Sequence, residues 1–203
     1  SSEKIHKMDE GSASRTIEVQ VDKNAALYYY PQPVIPFAQS AFDSKMTIHL
    51  EDETSKLFLL EIISCGRNAH EERFQYRRFS SKVLLYRGEK LIYRDNTRYE
   101  PGKMPMEGIG LYEGFTHMAN LFLSKLCDRG DADGLDRTSE LKEKIWQILD
   151  EDSEVDGGVT RLTTGDLALR IFGHRAQKLQ QIAEKIKEIY TSCQINHKSV
   201  MNE

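Results

Sequence analysis

The sequence contains little cysteine and has no long apolar run. Its 203 residues include three cysteines, an odd number at wide spacing, and no C-x-x-C pair. This pattern argues against a disulfide framework and against structural zinc, so we expect a reducing compartment, the cytoplasm. No apolar stretch approaches the roughly 18 residues that a membrane span needs, and residues 1–10 lack the apolar segment of a signal peptide.

Basic charge is not in excess either. The chain has 28 lysines and arginines against 32 aspartates and glutamates, a net charge of −4, which argues against a general binder of nucleic acid or of anionic membranes. The sequence has no phosphate-binding loop of the G-x-x-x-x-G-K-[ST] or G-x-G-x-x-G type, and no G-x-S-x-G nucleophile motif. The chain is therefore not expected to hydrolyse nucleotides by itself.

The first half of the sequence is rich in strand signals. Apolar and polar residues alternate at 17–21, at 46–50 and around Phe74 and Tyr76, and the segment 57–63 is almost continuously apolar. A hairpin turn is predicted at 87–89. Three prolines within 31–36 predict an extended segment at an edge or corner of a sheet. Strands that recur about every ten to twelve residues indicate a sandwich, a barrel or a β-solenoid.

The second half is predicted to contain three helices. Their apolar faces lie within 115–126, 141–149 and 179–190, and the second helix has a predicted cap at Thr138 or Ser139. Acidic loops are expected at 127–137 and 150–158, and two short strands at 159–163 and 167–172. Residues 1–193 are predicted to form a single domain, and residues 194–203 a disordered tail.

Two acidic positions stand out among the strands. Glu61 lies inside an apolar strand, where a buried carboxylate is costly unless it is paired or hydrogen-bonded. Asp95 begins a carboxylate–amide pair after another apolar strand. In the structural interpretation, Glu61 pairs with Arg67 or Arg73, and Asp95 belongs to a turn. In the functional interpretation, both carboxylates line an interior polar path that suits weak, labile coordination of a divalent ion.

Other candidate residues carry weaker signals. Cys65, His70 and His117 are secondary candidates for metal binding. Cys65 and His70 could also form a thiol–imidazole pair, but no motif orients either group, so a small buried thiol is the simpler interpretation. The single tryptophan, Trp146, is predicted to lie beside the apolar stripe of its helix. It is either an interface anchor for a partner or packed under the acidic loop.

Four segments along the chain are more specific together than each is alone. They are Tyr30-Pro-Gln-Pro-Val-Ile-Pro-Phe37 with Ala41-Phe42, Glu61-Ile-Ile-Ser-Cys-Gly-Arg67 continuing to Phe74, Leu91-Ile-Tyr-Arg-Asp-Asn96 with Pro101, and Arg161-Leu162 followed by Leu169-Arg-Ile-Phe-Gly173 and the final helix. In this order and spacing they resemble the urease accessory protein family UreD, called UreH in some lineages. The family's opening third, with its G-G-x-x-x-G-D segment, has no match, so the chain is interpreted as a member lacking its N-terminal part.

This resemblance implies a fold and a function. The implied fold is mainly β, an irregular β-helix-like stack of short strands with helices toward the C-terminus. The implied function is that of a non-enzymatic scaffold or chaperone for nickel insertion, which binds UreF, recruits the GTPase UreG and docks on apo-urease. No cofactor is held tightly. Nickel(II) is in transit, Glu61 and Asp95 are candidates for its path, and any dimer forms through the partner.

Two other functions stay open on the sequence alone. A metal-dependent hydrolase would use Glu61, His70 and Asp95 as a three-ligand open site that holds its metal tightly. A β-solenoid adaptor unrelated to urease would have a purely structural role.

Overall fold

The computed structural model describes residues 2–126 and 136–195, which contain thirteen strands, two α-helices and a short 3₁₀ turn at Asn68–His70. The strands are β1 Glu3–Ile5, β2 Ala13–Val21, β3 Ala26–Tyr29, β4 Val34–Pro36, β5 Ala41–Leu50, β6 Lys56–Ser64, β7 Gly66–Arg67, β8 Glu72–Arg73, β9 Arg78–Arg87, β10 Lys90–Tyr99, β11 His117–Leu123, β12 Val155–Arg161 and β13 Leu167–Gly173. The helices are α1 Arg137–Asp150 and α2 Ala176–Ile195.

Most of the strands belong to two sheets that pack face to face. The larger sheet has the order β1-β4-β6-β11-β13-β12, and β3 pairs with the beginning of β6. The smaller sheet has the order β10-β9-β5-β2, in which β2, β5 and β9 run parallel. The predicted hairpin is confirmed, since β9 and β10 are antiparallel and Gly88 turns the chain at a φ of +55° that suits glycine.

Strand β6 is the centre of the molecule and is buried on both faces, as its apolar run predicted. Phe58 and Leu60 belong to the apolar cluster that includes α1 and α2, whereas Leu57 and Leu59 pack with the four-stranded sheet. Successive side chains of a strand point to opposite faces, so Glu61 lies on the side of the four-stranded sheet. The mainly β fold with helices toward the C-terminus is confirmed.

The prediction of a helix within residues 115–126 is wrong. The segment is strand β11, which pairs with β6 on one side and with β13 on the other. All of β11 from Met118 to Leu123 is buried, because the helices cover one face and the smaller sheet covers the other. A strand buried on both faces is apolar at nearly every position, so it also fills the apolar positions of a helical pattern.

The proline-containing segment 31–37 and the residues Phe74 and Tyr76 also differ from the prediction. Residues 31–37 are extended, but β4 lies between β1 and β6 instead of at an edge. Its ladder to β6 consists of one residue pair, Val34 with Ile63, so the missing proline N–H groups cost few hydrogen bonds. Phe74 and Tyr76 lie in the connection between β8 and β9, and Phe74 has a φ of +52°, which breaks the strand.

The helical half of the chain is otherwise close to the prediction. Helix α1 is capped by Asp136, whose carboxylate accepts a hydrogen bond from the Ser139 N–H at 3.1 Å, and not by Thr138 or Ser139. Strand β12 begins at Val155, inside the predicted acidic loop. Helix α2 continues through residues 194 and 195. Residues 127–135 and 196–203, which hold most of the first acidic loop, Cys127 and most of the predicted tail, lie outside the described residues.

No helix within residues 2–126 and 136–195 is long and apolar enough to cross a membrane.

Candidate functional site

A row of polar side chains crosses the seven-stranded sheet on the face that meets the smaller sheet. The ladder places Asn120 of β11 directly opposite Glu61 of β6, and Arg170 of β13 directly opposite Asn120. The Arg170 Nε donates a hydrogen bond to the Asn120 Oδ1 at 2.9 Å. A carboxylate, an amide and a guanidinium are thus held side by side by strand register alone.

The smaller sheet adds a second carboxylate to this row. Asp95 of β10 faces the larger sheet, and its Oδ1 lies 3.2 Å from the Arg170 Nη2. The Thr97 hydroxyl donates to the other Asp95 oxygen at 2.9 Å. The Ser81 hydroxyl of β9 donates to the Glu61 Oε1 at 3.4 Å. The sheet interface is therefore polar where Glu61 and Asp95 meet, and apolar clusters lie on both sides of this polar row.

Glu61 and Asp95 line the same buried cavity, of about 10 Å³. This is about the space of one water-sized probe. Asn120 and Tyr93 line this cavity and also a larger surface groove of about 420 Å³ that is bordered by Arg170. The amide of Asn120 and the ring of Tyr93 thus stand between the solvent and the buried carboxylates. The Nδ2 of Asn120 is buried without a hydrogen-bond partner, so both of its N–H donors are unsatisfied.

Burial dominates the electrostatics of Glu61. The residue is 7% exposed, and desolvation raises the pKa of its carboxyl to about 7. The Arg15 guanidinium lowers this pKa, and the Asp95 carboxylate raises it. Glu61 therefore exchanges a proton near neutral pH, which is unusual for a carboxyl group.

Neither structural alternative for these acids is correct. Arg67 is paired with Glu72, and Arg73 with Glu107, so neither arginine reaches Glu61. Asp95 lies in the middle of β10 and not in a turn.

Nearly the whole chain is similar to known proteins. The sequence model of a family described as UreD urease accessory protein matches residues 1–202. The chain belongs to the UreD family. Urease accessory protein UreH of Helicobacter pylori strain J99 is 33% identical over 189 residues, which cover 93% of this chain and 66% of the relative.

Two further relatives give the same result at greater distance. Urease accessory protein UreD of Acetivibrio thermocellus is 32% identical over 92% of this chain and 68% of the relative. That of Haemophilus influenzae strain PittGG is 28% identical over 93% of this chain and 70% of the relative. The family expected from the four ordered segments is therefore confirmed. The chain spans just under two thirds of the length of the Helicobacter pylori relative.

The secondary metal candidates of this UreD-family chain do not join Glu61 and Asp95. His70 and His117 line a separate surface groove, described below. Cys65 is fully buried, and burial raises the pKa of its thiol to about 11, so the thiol stays protonated at neutral pH. Burial lowers the pKa of His117 to about 4, so its imidazole stays neutral. Among the described residues, no three His, Cys, Asp or Glu side chains form a group that could hold a metal ion.

Trp146 is 48% exposed on helix α1. Its ring lies 3.9 Å from where a Cβ atom at Gly158 would stand, and it borders a surface pocket of about 210 Å³ with Asp150 and Asp156. The position beside the apolar stripe is thus as predicted, and the role as a partner anchor stays a prediction.

Sequence reasoning missed Asn120 and Arg170. Asn120 stands inside the apolar run 118–123, the same signal that singled out Glu61, but the segment was assigned to a helix. Arg170 is an ordinary polar position of an alternating strand. Only the pairing of β6, β11 and β13 shows that these residues share one row with Glu61.

Proposed function

We propose that this chain is part of a scaffold for urease maturation. In this role it binds UreF, recruits the GTPase UreG and docks on apo-urease, and it breaks no bond itself. The observation that carries the proposal is the family match over residues 1–202, together with relatives named as urease accessory proteins. A cytoplasmic location and a dimer formed through the partner are parts of the same proposal.

Nickel(II) is the cargo of this scaffold, and the polar row supports a path for it. Glu61 and Asp95 supply oxygen atoms, and Asn120 supplies an amide between the two sheets. Oxygen ligands bind late first-row ions more weakly than imidazole or thiolate ligands do. Weak sites suit conduction, because an ion held tightly would not leave.

The charges within the polar row keep its affinity for a divalent ion low. Arg170 already neutralises Asp95, and Glu61 is about half protonated near neutral pH. A divalent ion that enters from the surface groove has to displace the Arg170 guanidinium from Asp95 and the proton from Glu61. Both displacements cost free energy and so weaken the binding of the ion. Weak binding is the property that a transit site requires.

The test is urease activation in cells that express this chain with urease and the other accessory proteins at limiting nickel. Glu61→Gln and Asp95→Asn, singly and together, are expected to lower the activated fraction of urease by about tenfold while the complex still assembles. Glu18→Gln, an exposed carboxylate of β2, is the matched control.

Two measurements separate the parts of this proposal. Wild-type activation by the double variant would remove Glu61 and Asp95 from the path and leave the scaffold role intact. Failure of the unaltered chain to copurify with UreF, UreG and apo-urease would overturn the scaffold role itself.

A further inference from the structure

A second groove, of about 670 Å³, lies at the end of the seven-stranded sheet where β6 ends and β11 begins. It is bordered by β1, the turn after β7, the beginning of β11 and the first turn of α2. The lining residues that carry charge or an imidazole are Lys4, Arg67, Arg175, His6, His70, His117 and His174. No aspartate or glutamate lines the groove within the described part of the chain.

Three features make this groove electropositive. Lys4 is exposed on β1, and no carboxylate of the described residues lies within ion-pair distance of it. Arg67 and Arg175 also line the groove, but Glu72 and Glu154 partly neutralise them. The first turn of α2, at Ala176 and Gln177, contains no acidic residue to offset the positive end of the helix dipole.

The walls of the groove are apolar as well as basic. Ile35, Phe37 and Ala69 form part of the lining, and the Arg67 guanidinium lies 4.3 Å from the centre of the Phe37 ring. A free phosphate or carboxylate would use the charges but leave the apolar wall and most of the 670 Å³ unfilled. A peptide that carries both acidic and apolar side chains would use both.

We infer that this groove binds an acidic segment of a partner protein, in which aspartate or glutamate side chains face Lys4, Arg175 and the start of α2, and apolar side chains face Phe37 and Ile35. The inference does not depend on the proposed function, because it concerns a surface of this chain that can be tested without urease or its other accessory proteins.

The experiment measures binding of a fluorescein-labelled peptide of roughly nine residues that alternates aspartate with leucine, by fluorescence anisotropy on the full chain. The same peptide with asparagine in place of aspartate is the control ligand. We expect the aspartate peptide to bind about tenfold more tightly than the asparagine peptide. Bound peptide is also expected to slow hydrogen exchange in residues 66–70 and 174–177.

Variants of the chain locate the binding. The pair Lys4→Glu and Arg175→Glu is expected to weaken binding of the aspartate peptide by about tenfold, and Lys144→Glu on the exposed face of α1 is the matched control. Gln177→Glu adds an acid to the first turn of α2, which stabilises a helix, so its weaker binding would not reflect unfolding.

Three results would overturn the inference. One is equal affinity for the aspartate and asparagine peptides. A second is unchanged binding by both the double variant and Gln177→Glu. The third is displacement of the peptide by inorganic phosphate at the concentration of the peptide itself, which would assign the groove to a small anion.

Discussion

The two faces of the seven-stranded sheet differ in what they bury. Toward α1 and α2 the sheet buries an apolar layer, in which Phe58 packs with the rings of Tyr30 and Tyr190. Toward the smaller sheet it buries two apolar clusters, one with Leu57 and Leu59 and the other with Ile63, and Glu61 lies between them on β6. Both faces therefore supply hydrophobic stabilisation, but only the face toward the smaller sheet carries Glu61 and Asn120, which are costly groups to bury.

This difference shows where the fold can accommodate function. A buried carboxylate with one long hydrogen bond lowers stability, so a purely structural interface would replace it with an apolar side chain. The apolar clusters on both faces supply the stability that allows such a group to persist.

The largest effect is expected in the helix layer. Phe58→Ala removes a fully buried ring and should lower the free energy of unfolding by about 4 kcal/mol, because it leaves a cavity among packed aromatic rings. Urea denaturation followed by circular dichroism measures this change. Leu91→Ala, at a position that is 44% exposed, is the control and should change the free energy of unfolding by less than about 0.5 kcal/mol. Similar changes in the free energy of unfolding for Phe58→Ala and Leu91→Ala would show that the helix layer is not a major source of stability.

The second effect concerns Glu61 and depends on pH. Its pKa in the folded chain is about 7, above the ordinary value of 4.5 for a glutamate, so the folded state binds more protons than the unfolded state between these pH values. The contribution of Glu61 to stability is therefore greatest below pH 4.5 and is lost as the pH rises to 7, on the order of 3 kcal/mol in total.

Glu61→Gln removes this titration. The variant should match the unaltered chain near pH 4.5 and exceed it in stability above pH 7. Urea midpoints measured across this pH range give the difference in stability between the two proteins. The titration of all other groups is common to both proteins and cancels in this difference. A constant difference across the range would show that the Glu61 carboxyl titrates normally.

A smaller effect is expected for the pair of Arg170 and Asp95. The Arg170 side chain is 49% exposed, so solvent screens the pair, and its coupling energy should be about 1 kcal/mol. A double-mutant cycle of Arg170→Met and Asp95→Asn measures this coupling. Additive effects of the two changes would mean that the ion pair contributes nothing to the stability of the polar row.

The smallest effect is expected for Trp146→Ala on the outer surface of the helix layer. Because Trp146 is 48% exposed, its loss should change the free energy of unfolding by about 1 kcal/mol or less. The urea midpoint measures this change, with Phe58→Ala as the contrasting variant. A loss as large as that of Phe58→Ala would show that Trp146 belongs to the core.

Part of the fold follows from the sequence and part does not. The alternating strands β2 and β5, the hairpin of β9 and β10, and helix α2 were predicted because each is exposed on one side and has a clear period. Strand β11 was mistaken for a helix because neighbours cover both of its faces. Periodicity carries information only where one face meets water.

The candidate site shows the same division. Glu61 was identified because a charge within an apolar strand is costly, and that cost can be read from local sequence. Strand register places Asn120 and Arg170 beside Glu61, and the packing of the two sheets brings Asp95 to Arg170. No spacing along the chain encodes that register.

The amino-acid sequence by itself determined the family and the mainly β character of this chain, since both depend on local patterns and their order. It also determined that Glu61 would be unusual. The tertiary structure alone decided that Asp95 faces Arg170, and that Lys4 and Arg175 border one groove. These contacts join residues far apart in the chain, and they form only when two sheets and a helix pack against one another.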